Sequence, residues 1–207
     1  MTGFDFIFAL FSLLLGLAIA EVLGGFAQVM KIHARARAGI SADVRVGWLV
    51  PLLAAFILLG QLTFWTFTYS IRDQVPFNYV TVLVVTALVG GYYLLSVLVW
   101  PDDFELWPDF NNFYDQHNRF ILTGNLLLTI AAGVIGVMYA PPTRPEVKVA
   151  QEAYVWFAVV GVYGGLLLNV VLIFVRRRVL NIALLATLIA LQVGGSIAGV
   201  AAGLNGQ

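Results

Sequence analysis

Glu21 is the residue whose type and position most invite chemistry. It is the only acidic side chain deep within an apolar run, Phe4–Met30, which ends at the basic cluster Lys31, His33, Arg35 and Arg37. A lone ionised carboxylate in hydrocarbon is costly, so Glu21 must be neutral, paired or hydrated. Arg119, His33, Asn125 and Asn169 are its candidate partners. Glu21 lies ten residues before Lys31, Asn125 six after Arg119, and Asn169 seven before Arg176. At the helical rise these three fall roughly 9–15 Å from the inner membrane boundary. That predicts one polar layer, with Gln61 and Gln192 forming a second near the midplane. Such a layer either lines a water-accessible ion or proton path through Glu21, or pins the bundle through a protonated Glu21 bonded to Asn125 or Asn169.

Other chemistry is poorly served. His33 and His117 are the only histidines, and neither belongs to a metal-binding pair. No zinc-type H-E-x-x-H spacing, phosphate loop or nucleophile elbow occurs. Gly194-Gly195-Ser196 sits within an apolar run and reads as packing. Tyr92, Tyr93 and Tyr163 could line a lipid, quinone or pigment groove, but aromatics within a span more often belong to the core; no cofactor is named by the sequence. A lone acid falls short of an acid–base constellation, so an enzyme is not expected.

These residues must be positioned by helices in lipid. The 207-residue chain is 61% hydrophobic and 11% charged, with mean hydropathy +0.93. Soluble domains run about 45–50% apolar and about 25% charged, so the excess calls for a bilayer. Net charge is zero, with no basic stripe for nucleic acid. Cysteine is absent, which excludes disulfides and thiolate metal sites. Six apolar runs reach spanning length: Phe4–Met30, Trp48–Ser70, Phe77–Trp100, Phe120–Tyr139, Ala153–Val175 and Val179–Leu204. Backbone groups in lipid must be satisfied within the segment, so each run is expected to be a helix. Pro51 stands in a first turn, where its missing N–H costs little. Pro76, Pro101, Pro141, Pro142 and Pro145 fall between runs. The expected fold is all-α: a six-transmembrane-helix bundle forming a single polytopic domain over 1–207. Ala18 and Ala20 mimic a cleavage site, but no Lys or Arg precedes the first run and it continues to Met30, so it reads as a retained helix.

Basic residues set the orientation. Lys31, Arg35, Arg37, Arg45, Arg119, Arg176, Arg177 and Arg178 fall in the odd loops, leaving Arg72, Arg144 and Lys148 on the other side. The positive-inside rule then puts the odd loops in the cytoplasm and both termini outside. Trp48, Trp100 and Trp107 are expected at the inner boundary, and Phe64, Trp65, Phe67, Tyr69, Tyr139, Tyr154 and Trp156 at the outer one.

The third loop, WPDDFELWPDFNNFYDQHNR, is more than a connector. Asp109 is a good N-cap, and Phe110, Phe113, Tyr114, His117 and Phe120 recur at helical spacing. This predicts a short amphipathic interfacial helix between the third and fourth spans. It anchors at the interface, or presents Asp102, Asp103, Glu105, Asp109, Asp115 and Arg119 to a partner. The loop resembles that of a group of uncharacterised small multi-pass bacterial inner-membrane proteins. Leu98, Pro101, Asp102, Asp103, Asp109, Phe113, Tyr114, Arg119 and Phe120 carry the resemblance, with Gly16-Leu17-Ala18-Ile19-Ala20-Glu21 in the first span. It covers about the first two-thirds of the chain. Where the group often has two arginines, this chain has Asn118–Arg119. The resemblance implies a bacterial inner-membrane location and no chemistry.

Membrane helices associate through small residues and polar side chains. Gly195, Gly199 and Gly203 form a small-xxx-small ridge on the last run; Gly16, Ala20 and Gly24 form another on the first, leading to Gln28. Similar series are Asn125, Thr129 and Gly133, and Gly161, Gly165 and Asn169. They serve packing within the chain or, on the last helix, a homo-oligomer interface. Two functions remain: a non-enzymatic interaction, accessory or oligomeric membrane component, and a small channel or proton- or ion-linked transporter built on the Glu21 layer. The first is favoured, because the two halves show no convincing internal repeat and no span is broken near its centre.

Overall fold

The computed structural model describes residues 3–39, 44–71, 74–103, 106–139 and 149–204, with side chains described over 8–39, 44–71, 74–103, 106–139 and 161–197. Six helices account for nearly all of it: α1 (Gly3–Arg37), α2 (Leu49–Ser70), α3 (Tyr79–Leu98), α4 (Phe110–Met138), α5 (Val149–Phe174) and α6 (Arg178–Leu204). Among the described residues there is no strand, only an isolated bridge between Arg45 and Asp109. Five helices are long and apolar enough to cross a membrane; the described apolar part of α5, Gly161–Phe174, is shorter. This is the make-up of an integral membrane protein.

The packing order closes a ring. α1 lies on α3, α3 on α4, α4 on α5, α5 on α6, α6 on α2 and α2 on α1, while α2 also touches α3 and α4. The helix with most neighbours is the most evenly apolar near its start: no residue from Leu49 to Gln61 is exposed. A helix hydrophobic on every side suits either lipid or protein, and here α1, α3, α4 and α6 surround its start.

α1 meets the ring along a narrow seam. Phe11, Leu15, Ala18, Val22, Gly25 and Ile32 are buried at alternating three- and four-residue steps, with a seven-residue gap bridged by the half-buried Val29. That is the spacing of a coiled-coil seam, and it leaves most of the helix surface outside. The helix ends where Gly39, at φ +72°, takes the left-handed conformation and its N–H donates to the Ala36 carbonyl.

The expected interfacial helix does not exist as a separate element. Phe110–Met138 is one helix of 29 residues, about 43 Å long. Nothing between Phe110 and Thr123 breaks a helix, and the buried face runs on without a change of register through Phe110, Phe113, Tyr114, Asn118, Ile121, Leu122 and Asn125. The aromatic face therefore packs with the start of α2 instead of lying on lipid. Asp109 does cap the helix, accepting from the Asn111 N–H at 2.8 Å.

The inner aromatic boundary also differs from expectation. Trp48 is exposed, but Trp100 is buried against α1, edge-on to Phe26 at 5.0 Å. Trp107 folds onto Phe113 and His117, each 5.3 Å away. At the other end Trp65 and Tyr69 stack with Phe8 against both, and Trp65 Nε1 donates to Ser12 Oγ at 3.3 Å, while Phe64, expected at that boundary, is buried against Phe11 and Tyr92.

The three odd loops share one end of the molecule. Arg45 N–H donates to the Pro108 carbonyl at 2.6 Å, and Phe110 N–H returns to the Arg45 carbonyl at 3.1 Å. Arg178 donates through Nε and Nη2 to Asp115 Oδ2 at 3.0 and 2.7 Å, and through Nη2 to Asn112 Oδ1 at 2.8 Å.

Candidate functional site

Polar side chains inside the ring gather on α2. Gln61 is fully buried; its Nε2 donates to Ser96 Oγ on α3 at 2.5 Å, with the Tyr92 carbonyl 3.5 Å away. Ser96 in turn donates to the Tyr92 carbonyl at 2.9 Å. One residue earlier, Gly60 turns toward α4 and α6. A Cβ placed on it would lie 3.9 Å from both Asn125 Oδ1 and Gln192 Nε2. The two layers expected from depth, Asn125 in one and Gln61 with Gln192 in the other, are thus a single layer at one level.

Glu21 is at that level too, yet outside it. Gly25 meets Trp100, since a Cβ there would collide with the indole. In a bundle threaded back and forth, α1 and α3 run in the same direction. Four residues back from each contact lie Glu21 and Ser96, at about the same depth. But Glu21 is exposed, one step off the buried seam at Val22. The inward Glu21–Asn125–Asn169 layer does not form; seam residues Ala18 and Val22 take the inward direction. Since lipid and protein interior are both apolar, burial of those residues left no mark in hydropathy.

Asn169 is buried on α5 (4% exposed), and its Oδ1 has no hydrogen-bond partner among the described residues. The same holds for Gln61 Oε1, Gln192 Oε1 and Asn118 Oδ1, and for both amide atoms of Asn181, which is 0% exposed. Ser96, Asn118 and Asn181 escaped the sequence reading. The signal was present: Asn181, Leu185, Leu188 and Gln192 share one face of α6 at three- and four-residue spacing, as do Tyr114, Asn118, Ile121 and Asn125 on α4.

The small-residue ridges point elsewhere than expected. No described atom of a neighbouring helix comes within 4 Å of a Cβ placed at Gly16, Gly24, Gly133, Gly161, Gly165 or Gly195. Among the described residues these positions make no close contact between helices. Gly199 and Gly203 lie on α6, beyond the described side chains. Close approach occurs instead at Gly91 and Gly124, where a Cβ would stand 2.7 Å from Leu128 Cδ2 and 2.9 Å from Leu95 Cδ2. Each of α3 and α4 thus receives a leucine from the other.

Part of the acidic surface is engaged within the molecule. Asp109 caps α4 and Asp115 pairs with Arg178. The Asp103 carbonyl accepts from the Trp107 N–H at 3.2 Å. Asp102 and Arg119 are exposed, and Glu105 lies outside the described residues. His33 and His117 each donate from Nδ1 to the carbonyl four residues earlier, at 2.9 and 3.0 Å. The interior thus offers neutral amides and hydroxyls, several without a partner among the described residues, while Glu21 stands on the outer face of α1. No family model, curated protein or solved structure matches this chain.

Proposed function

We propose that this chain is a non-enzymatic component of a bacterial inner membrane that associates sideways in the bilayer through α1, with a second copy of itself. The observation that carries this reading is the direction of Glu21. It lies on exposed helix surface among the exposed apolar side chains Leu17, Leu23 and Met30. An acidic side chain facing hydrocarbon costs about 2.5–3.5 kcal/mol near the middle of a span, and less toward its ends. A polar contact from a neighbouring helix removes that cost. Gly16, Ala20 and Gly24 beside it would let another backbone approach. Gln28, two turns on and also exposed, gives a second polar contact. Two parallel copies of α1 would bring Glu21 and Gln28 each opposite their own counterparts, with the carboxyl pair holding at least one proton. The odd loops, joined at one end and carrying most of the basic residues, would face the cytoplasm, leaving both termini periplasmic.

The alternative, a channel or ion-linked carrier, would have to use the interior amides alone. Native mass measurement of the intact chain in lipid nanodiscs tests the choice. A dimer that dissociates in Gly16→Leu and Gly24→Leu variants is expected. A strict monomer, or a proton leak in proteoliposomes that vanishes with Glu21→Gln, would overturn it.

A further inference from the structure

We propose that the gap in front of Gly60 is a binding site for ordered water, bridging the amides of Asn125 and Gln192. It goes beyond lateral association and does not depend on it. Gln61 is fully buried, and one of its amide atoms is used by Ser96 while Oε1 has no partner among the described residues. Gln192 Oε1 is buried and without a partner as well. Asn125 Oδ1 and Gln192 Nε2 converge on the place where Gly60 lacks a side chain. Leaving such atoms dry costs each its full desolvation penalty. A space lined by several polar atoms holds water, whereas an apolar one stays empty.

The ligand is water and not a cation. Apart from Glu21, which faces out, the Lys, Arg, Asp and Glu residues sit near the ends of the apolar runs or in the loops between them. A bare cation among neutral amides would lack a countercharge. Outward of the site the aromatic rings of Phe64 and Tyr92 stand 5.0 Å apart, with Phe11 5.4 Å from Phe64. Inward, Asn118, Asn169 and Asn181 present further unpartnered amide atoms.

The test compares Gly60→Ser with Gly60→Ala in the full chain, by thermal unfolding in lipid nanodiscs. Serine places a hydroxyl where the water stands; alanine places a methyl group there. Gly90, with no described atom within 4 Å of its Cβ position, is the control, and there alanine should be the more stable by helix propensity. At Gly60 the order should reverse, with serine melting about 2–4 °C higher, the size of a single hydrogen bond in a chain of this length. Alanine equal to or above serine at Gly60 would overturn the proposal. Should either variant fail to fold, a high-resolution map of the native chain decides. Water density in front of Gly60 within hydrogen-bonding distance of Asn125 Oδ1 and the Gln192 amide supports it. An empty site, in a map that shows ordered water elsewhere, refutes it.

Discussion

The half of the bundle that holds the start of α1 (outer, in the orientation proposed above) and the half that holds the odd loops (inner) are held together by different means. In the outer half Phe11, Leu15, Phe64, Leu88, Val89, Tyr92 and Ala132 form an apolar, aromatic cluster beside a cavity of about 250 Å³ lined by Phe8, Phe67, Val85 and Ile135. In the inner half the buried apolar core is larger, but it is interrupted by amides and tied at its end by loop-to-loop hydrogen bonds. The outer half depends on shape, since dispersion between side chains is the main gain when lipid replaces water as solvent. The inner half adds direction, because amides and capped helix ends fix how the helices turn. The unpartnered polar atoms belong to the second region alone or border it, which is why hydration is inferred there.

Substitutions can sharpen or break this contrast. The largest effect is expected from Phe64→Ala, which joins a new void to the existing outer cavity. It should cost about 3–5 kcal/mol, read as loss of thermal stability in nanodiscs. A loss under 1 kcal/mol would show that lipid fills the gap and that shape matters less there. Next comes Gly124→Val, which thrusts side-chain atoms into Leu95. Overpacking of this kind costs about 1–3 kcal/mol, and adding Leu95→Ala should recover part of the loss. If the second change adds to the damage, the α3–α4 crossing is not set by that contact. Asp109→Ala should cost about 1 kcal/mol by uncapping α4, seen as faster amide exchange at Asn111 and Asn112. The smallest effect belongs to Arg178→Met. Its pair with Asp115 is partly exposed and worth at most about 1 kcal/mol, diminishing as salt is raised.

Much of the architecture is written in the composition. The prolines and basic residues that interrupt the apolar runs mark the helix ends to within about four residues, except that α1 runs on to Arg37 through its basic cluster and α4 starts at Phe110. The cap at Asp109 was legible because a polar residue before an amphipathic series has one good use. What was not legible is which way each helix faces. In water a buried stripe differs from an exposed one in polarity; in lipid both are apolar. Leu13 and Leu15 illustrate this: identical residues, one exposed and the other buried. The same blindness turned Glu21 inward and Trp100 outward in the sequence reading. It also hides the close approaches at Gly91 and Gly124, where each helix receives a leucine from the other. In α4 the change from polar to apolar composition near Phe120 suggested a bend, but composition does not bend a helix without a breaker.

The absence of cysteine allows the central claim to be tested by placing cysteines at will. Glu21→Cys in native membranes should form a disulfide between two chains under mild oxidation, since that face of α1 points away from its own bundle. The double variant Glu21→Cys with Asn125→Cys should give no bridge within one chain. A bridge within the chain, or no linkage between chains, would contradict the outward direction of Glu21 or the association built upon it.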